Sequence, residues 1–206
     1  MVRTADENDT KNKTKLTVPS LRLPKIYSGK IEAKEILEKI ANSEPVVYNN
    51  VLIYGDLDVN KIDLPRGENN KSLVASEIII TNSEINGNVR FSNTIFWKSI
   101  NFRDTRFNQT VEFEHTRFSE NVEFVESKFY EDINFNFARF YNRVSFLSTH
   151  FKKPAQFMFA KFESNAVFEW TLFLILRYFL GPIFIIPQIS LTRNSEKKPM
   201  SKISNQ

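Results

Sequence analysis

His115 and His150 are the only imidazoles in 206 residues, and they stand 35 positions apart. Neither has a nucleophile and an orienting acid at the spacing that acyl or group transfer needs. His115 beside Glu112 and Glu114 is the one place where metal-donor types sit together, and one imidazole with two neighbouring carboxylates makes a weak cation site at best. Gly55-Asp-Leu-Asp58 carries two carboxylates but is too short for a calcium loop. No glycine-rich phosphate loop occurs, and the absence of Cys removes disulfide frameworks, thiol catalysis and Cys-ligated zinc. Catalytic, cofactor and metal residues are therefore assigned to none, and an enzyme is not expected.

A second set of residues offers binding chemistry. Arg106, Arg117, Lys128, Arg139, His150 and Lys161 recur at a constant interval, each directly before every second Phe. A column of cations invites an anionic partner such as nucleic acid or lipid headgroups. The alternative is a solvated face neutralised by Glu112, Glu114, Glu123 and Glu126 nearby. The overall charge of +4 favours the second view. Residues 1–30 carry +4, residues 31–88 carry −5, residues 89–173 only +1 and residues 174–206 again +4. The basic balance sits in the tails rather than on a folded face, so nucleic acid is not the expected partner.

What positions these columns is a repeat. Phe91, Phe96, Phe102, Phe107, Phe113, Phe118, Phe124, Phe129, Phe135, Phe140, Phe146, Phe151, Phe157, Phe162, Phe168 and Phe173 follow one another at alternating intervals of 5 and 6 without a miss. The residue two places earlier is alternately Val, Ile or Ala and then Thr, Ser or Ala, as in Val111, Thr116, Val122 and Ser127. The rhythm continues upstream in aliphatics at Ile53, Val59, Leu64, Val74, Ile80 and Ile85, and it breaks once, across residues 65–71, which read as a loop. Inward positions two apart obey strand periodicity, whereas offsets of 0, 2, 5 and 7 make no single helical stripe. The β-branched and aromatic content also favours strand. The chain is predicted to be a β-solenoid in which like side chains stack coil upon coil.

The triplets Thr105-Arg-Phe107, Ser127-Lys-Phe129 and Ala138-Arg-Phe140 resemble the pentapeptide-repeat family. Asn121-Val-Glu-Phe-Val-Glu-Ser-Lys-Phe129 looks like its Phe-rich subtype, in which five- and six-residue steps alternate. The resemblance covers residues 51–173. The stretch from Glu35-Ile-Leu-Glu-Lys-Ile40 to Gly55-Asp-Leu-Asp58 is similar to the N-terminal region of archaeal members. The resemblance implies an all-β, right-handed quadrilateral β-helix with four units per coil and the central Phe inside. The extra residue at alternate corners departs from the plain pentapeptide, so that one coil spans the step from Phe107 to Phe129. By that analogy the rod has about five and a half coils and is roughly 26 Å long. The cations then split into two stripes on opposite faces, Arg106, Lys128 and His150 on one and Arg117, Arg139 and Lys161 on the other. Some members imitate duplex DNA and inhibit topoisomerases; that needs a continuous acidic surface, which residues 89–173 do not offer.

The flanks complete the organisation. Residues 1–27, rich in Lys, Asn and Thr, read as a disordered tail. Met1 to Lys15 is hydrophilic, which argues against a cleaved secretory leader and for a cytoplasmic protein. Residues 28–43 are assigned to a capping helix, since Ala33, Ile36, Leu37, Ile40 and Ala41 between Ile31 and Ala41 fall at helical spacing. Residues 44–173 form the β-helix, and residues 174–206 an apolar segment with a basic tail. The stretch 171–190 is long enough to suggest a membrane span, but Arg177, Gly181-Pro182 and Pro187 interrupt it. Phe173, Phe179 and Phe184 still hold intervals of 6 and 5, as a C-terminal cap would. The expected function is a non-enzymatic scaffold or protein-interaction module, with protein as partner. The alternatives are a membrane-associated β-helix tethered through residues 171–190 and a homo-oligomer formed through a solenoid end.

Overall fold

A computed structural model describes residues 25–173 and 190–191 of the chain. The strands are short, mostly two residues, because each carries one inward and one outward side chain before the chain turns. They assemble into four parallel sheets, which the chain visits in a fixed order. The first face holds Gly29–Glu32, Val51–Tyr54, Glu84–Ile85, Arg106–Phe107, Lys128–Phe129, His150–Phe151 and Leu172–Phe173. The second runs from Leu57–Asp58 to Ala155–Gln156, the third from Ser72–Val74 through Lys161–Phe162 to Ser190–Leu191, and the fourth from Val46–Asn49 to Ala166–Val167. The protein is a four-sided β-solenoid with the first face opposite the third.

The register is the predicted one. Phe107 pairs with Phe129 and Phe129 with Phe151, each one coil on at a sequence separation of 22. Across the inserted loop the separation lengthens to 32, as Leu57 pairs with Val89. The loop, residues 65–71, closes on itself through Leu73 N–H to the Pro65 carbonyl at 2.8 Å and Gly67 N–H to the Lys71 carbonyl at 2.8 Å. The rod therefore absorbs the inserted loop without losing register.

Inside, the rings form four stacks. Phe140 lies over Phe162 at 5.0 Å and 2°, Phe113 over Phe135 at 5.1 Å and 5°, and Phe107 over Phe129 at 4.6 Å and 7°. Between stacks the rings meet edge to face, as Phe124 and Phe135 do at 5.8 Å and 70°. Both geometries suit the ring quadrupole. The ladder rings from Phe91 to Phe162, which leave out Phe137 and Phe159, are each no more than 2 % exposed, and the upstream aliphatics Ile53, Val59, Leu64, Val74, Ile80 and Ile85 are buried beneath them. Phe168 is half-buried, and Phe173 is 42 % exposed, so the ladder loses its cover at the last coil.

The restricted residue two before alternate Phe has a polar task. Thr105, Thr116, Ser127, Thr149 and Thr171 each donate a hydroxyl hydrogen bond to a carbonyl of the preceding coil, at 2.5 to 2.7 Å. The acceptors of Ser127, Thr149 and Thr171, the Phe102, Phe124 and Phe146 carbonyls, also take a corner N–H, so the hydroxyl there fills the second lone pair. Ala138 and Ala160 hold the same position by burial alone.

The corners adopt a left-handed conformation without using glycine. Asn82, Asn93, Asp104, His115, Glu126, Phe137, Ser148, Phe159 and Trp170 have φ between 47° and 62°. This left-handed conformation costs an L-residue about 1–2 kcal/mol, least for Asn and Asp. The corner N–H groups are used, with Asp104 donating to the Val125 carbonyl at 2.8 Å and His115 to the Asn136 carbonyl at 2.9 Å. Glycine is required by contact at Gly87, where a Cβ would lie 1.9 Å from the Gly55 carbonyl oxygen.

The helix runs Ala33–Ala41 and buries Ala33, Ile36, Leu37 and Ile40 across the first coil. One expectation is corrected here. Gly29–Glu32, assigned to the helix region, are a strand that pairs with Val51–Tyr54, and the helix itself ends on the exposed Ala41. The tail assigned to residues 1–27 ends in ordered contacts at Lys25 and Tyr27; its residues 1–24 lie outside the described residues, as do 174–189.

Candidate functional site

The register brings the predicted stripes together as expected. Arg106 pairs with Lys128 and Lys128 with His150 on the first face, and Arg117 with Arg139 and Arg139 with Lys161 on the third. The carboxylates that pair with Arg117 and Arg139 are not the expected ones. Glu112 and Glu123 belong to strands of the second and fourth faces, and Glu123 pairs there with Arg103 at 3.8 Å and Arg143 at 3.6 Å. Glu126 is an exposed corner residue. Arg117 instead pairs with Glu68, which the inserted loop carries over the third face, and Arg139 with Glu163 at 2.7 Å while its guanidinium lies 4.8 Å above the Tyr141 ring. Lys161 is exposed.

On the first face the end of the N-terminal tail crosses the stripe. Tyr27 donates its hydroxyl to Glu84 at 2.5 Å, and Lys25 pairs with Asp104 at 3.3 Å. Burial and the bond to Glu84 push the Tyr27 phenol well above the ordinary tyrosine value. Asn108 also donates to Glu84, at 2.8 Å. Arg106 lies beside this cluster with its Nε buried and unbonded among the described residues.

His115 occupies a corner, as expected of a residue at that place in the repeat. Its ring stacks on Phe137 at 4.6 Å and 10°, and its carbonyl accepts from Lys71 Nζ at 2.5 Å. Burial, then the charge of Arg117, lowers the Lys71 ammonium below the usual lysine range. Glu112 and Glu114 line a shallow depression on the second face, about 300 Å³, with Thr110, Asp132, Asn134 and Gln156. Among the described residues no group of three His, Asp or Glu is arranged to hold a metal ion.

One feature escaped the sequence reading. His115, Phe137 and Phe159 form a stacked column at the corner between the second and third faces, with Phe137 over Phe159 at 5.1 Å. These two Phe lie outside the 5 and 6 rhythm, but their spacing of one coil from each other and from His115 is a signal that could have found them. Among the described residues no helix is long and apolar enough to cross a membrane.

Four sheets of stacked two-residue strands around a phenylalanine core define a repeat β-solenoid. Compared with known families, curated proteins and solved structures, the chain matches none.

Proposed function

We propose that the protein is a non-enzymatic scaffold or protein-interaction module of the pentapeptide-repeat type. The observation that supports this most is the fixed stacking of outward side chains. Arg117, Arg139 and Lys161 are held in line at one coil per step by fully buried rings behind them, a rigid array suited to reading a partner of matching spacing. The working partner is another protein in the cytoplasm. Cross-linking of the full chain in native lysate, repeated with Arg117→Glu, Arg139→Glu and Lys161→Glu combined, tests this reading. Loss of one defined cross-linked partner with an unchanged melting temperature supports it. Recovery of the same partners by parent and charge-reversed chain removes the third face from the function.

A second reading, membrane association through residues 171–190, is favoured by one observation. Leu172 and Phe173, at the start of that stretch, are 57 and 42 % exposed.

A further inference from the structure

Along the rod, several equivalent positions change from polar to apolar toward the C-terminal end. The outward position of the first face carries Glu84, Arg106, Lys128 and His150, and then Leu172. The corner between the fourth and first faces carries Asn82, Asp104, Glu126 and Ser148, and then Trp170. At the diagonally opposite corner Asn93 and His115 give way to Phe137 and Phe159, and just before it Glu114 and Asn136 give way to Met158. Each switch is complete by the last described coil. Trp170 is 80 % exposed and Phe159 63 %, although each is a bulky residue in a left-handed conformation that Asn or Asp fills with less strain.

On the first face and at these two opposite corners the polarity therefore varies with height along the axis, while Lys152, Lys153, Gln156, Lys161 and Ser164 stay polar and exposed on the other sides of the last coil. A folded protein partner resting on one face would meet one of these residues or two. A second copy stacked end to end would cover the end of the core, leaving corner rings that point outward. A fluid lipid surface lying across the axis reaches all sides at one height. Trp and Phe are also the residues that settle at the headgroup level. The charge agrees, since Lys161 lies in the same coil and the stretch of sequence that follows, residues 174–206, carries a net +4.

We infer that Met158, Phe159, Trp170 and Leu172 form a girdle that seats the C-terminal end of the rod upright in an anionic lipid surface. The inference rests on the membrane reading and goes further, because it places the contact on the coil itself and fixes the orientation of the rod.

The test uses the full chain with vesicles of equal parts phosphatidylcholine and phosphatidylglycerol, and with phosphatidylcholine alone. Trp97 and Trp170 are the only tryptophans, and Trp97 stands about three coils, or roughly 16 Å, away along the axis. With Trp97→Phe, the fluorescence of Trp170 should shift to the blue on anionic vesicles and be quenched by brominated lipid. With Trp170→Phe, Trp97 should stay unquenched. Phe159→Ser with Leu172→Ser should weaken vesicle partitioning at least about tenfold while leaving the circular dichroism spectrum unchanged. Failure of the parent to bind either vesicle overturns both the membrane reading and the girdle. Binding that survives the double substitution with Trp170 unquenched keeps the tether and overturns the girdle. Quenching of both tryptophans means a rod lying on its side, and equal binding to neutral vesicles removes the anionic requirement; either result overturns the inference as stated. A lipid-free oligomer with Trp170 already blue-shifted, and unchanged by vesicles, assigns the girdle to a second copy and overturns it as well.

Discussion

At the N-terminal end the helix Ala33–Ala41 lies across the first coil and seals a core of Ile and Val. At the C-terminal end the central column positions are all phenylalanine, and the last rings, Phe168 and Phe173, are half-buried and exposed. The first end is also pinned by charge. Asp56 accepts from the Asn88 backbone N–H at 3.0 Å, from the Asn88 side chain at 3.1 Å and from Arg90 at 3.0 Å. Nothing of that kind is seen around Phe173 among the described residues. The contrast teaches that the repeat supplies the rod but not its ends. One end is closed by a separate element, and the other presents apolar side chains outward.

The steepest test of this contrast compares rings within the ladder. Phe135 is stacked on both sides, by Phe113 and Phe157, and fully buried. Phe135→Ala should cost about 3–5 kcal/mol, read by urea unfolding, whereas Phe173→Ala should cost about 1 kcal/mol. Equal losses would mean that burial does not grade along the rod. Next in size, Ile36→Ala in the helix should cost about 2–4 kcal/mol and lower the midpoint without changing the urea dependence. A loss below about 1 kcal/mol would show the helix to be a passenger rather than a seal.

A smaller effect separates the ends by pH. The Asn88 N–H, with Arg90, holds the Asp56 carboxyl below the usual aspartate range. Its contribution is present above the unfolded value and disappears as the pH falls through the lower folded one, because the unfolded chain binds the extra proton. Stability of the parent should therefore fall below about pH 4 more steeply than that of Asp56→Asn. Identical acid limbs would remove Asp56 from the account. Smallest of all is Phe137→Asn, which relieves left-handed strain but loses the stacks on His115 and Phe159. The net change should stay within about 1 kcal/mol of zero. A loss as large as that of Phe135→Ala would make the corner column part of the core.

Much of this was legible because the repeat is a covalent clock. The inward ring positions and the break at residues 65–71 follow from spacing alone, and the split of the cations onto opposite faces follows once the four-unit coil that the family resemblance implies is added. The partners of those cations do not follow. Glu112 and Glu123 are near Arg117 in sequence, yet each corner turns them onto another face, while Glu68 arrives from an inserted loop 49 residues away. The left-handed corners were equally hidden, since Asn, Asp, His, Glu, Phe, Ser and Trp all occupy them and no residue type marks the place. Glu32 gave no sign that Gly29–Glu32 would pair as a strand, because that pairing is set by Val51–Tyr54, a coil further on. Even the outward Asn134 proves more engaged than its position suggests, accepting from the Asn136 N–H at 2.8 Å.

The constant step from one coil to the next has a consequence for the gene. Any run of codons one coil long, cut within the middle of the rod, joins two equivalent points of the same face. Its loss or duplication changes the molecule by one whole turn, about 4.8 Å, and leaves every column in line. Length is thus an inheritable quantity that can be edited in integer units, whereas residues added off that step must loop out at a corner, as residues 65–71 do, or they turn rings outward.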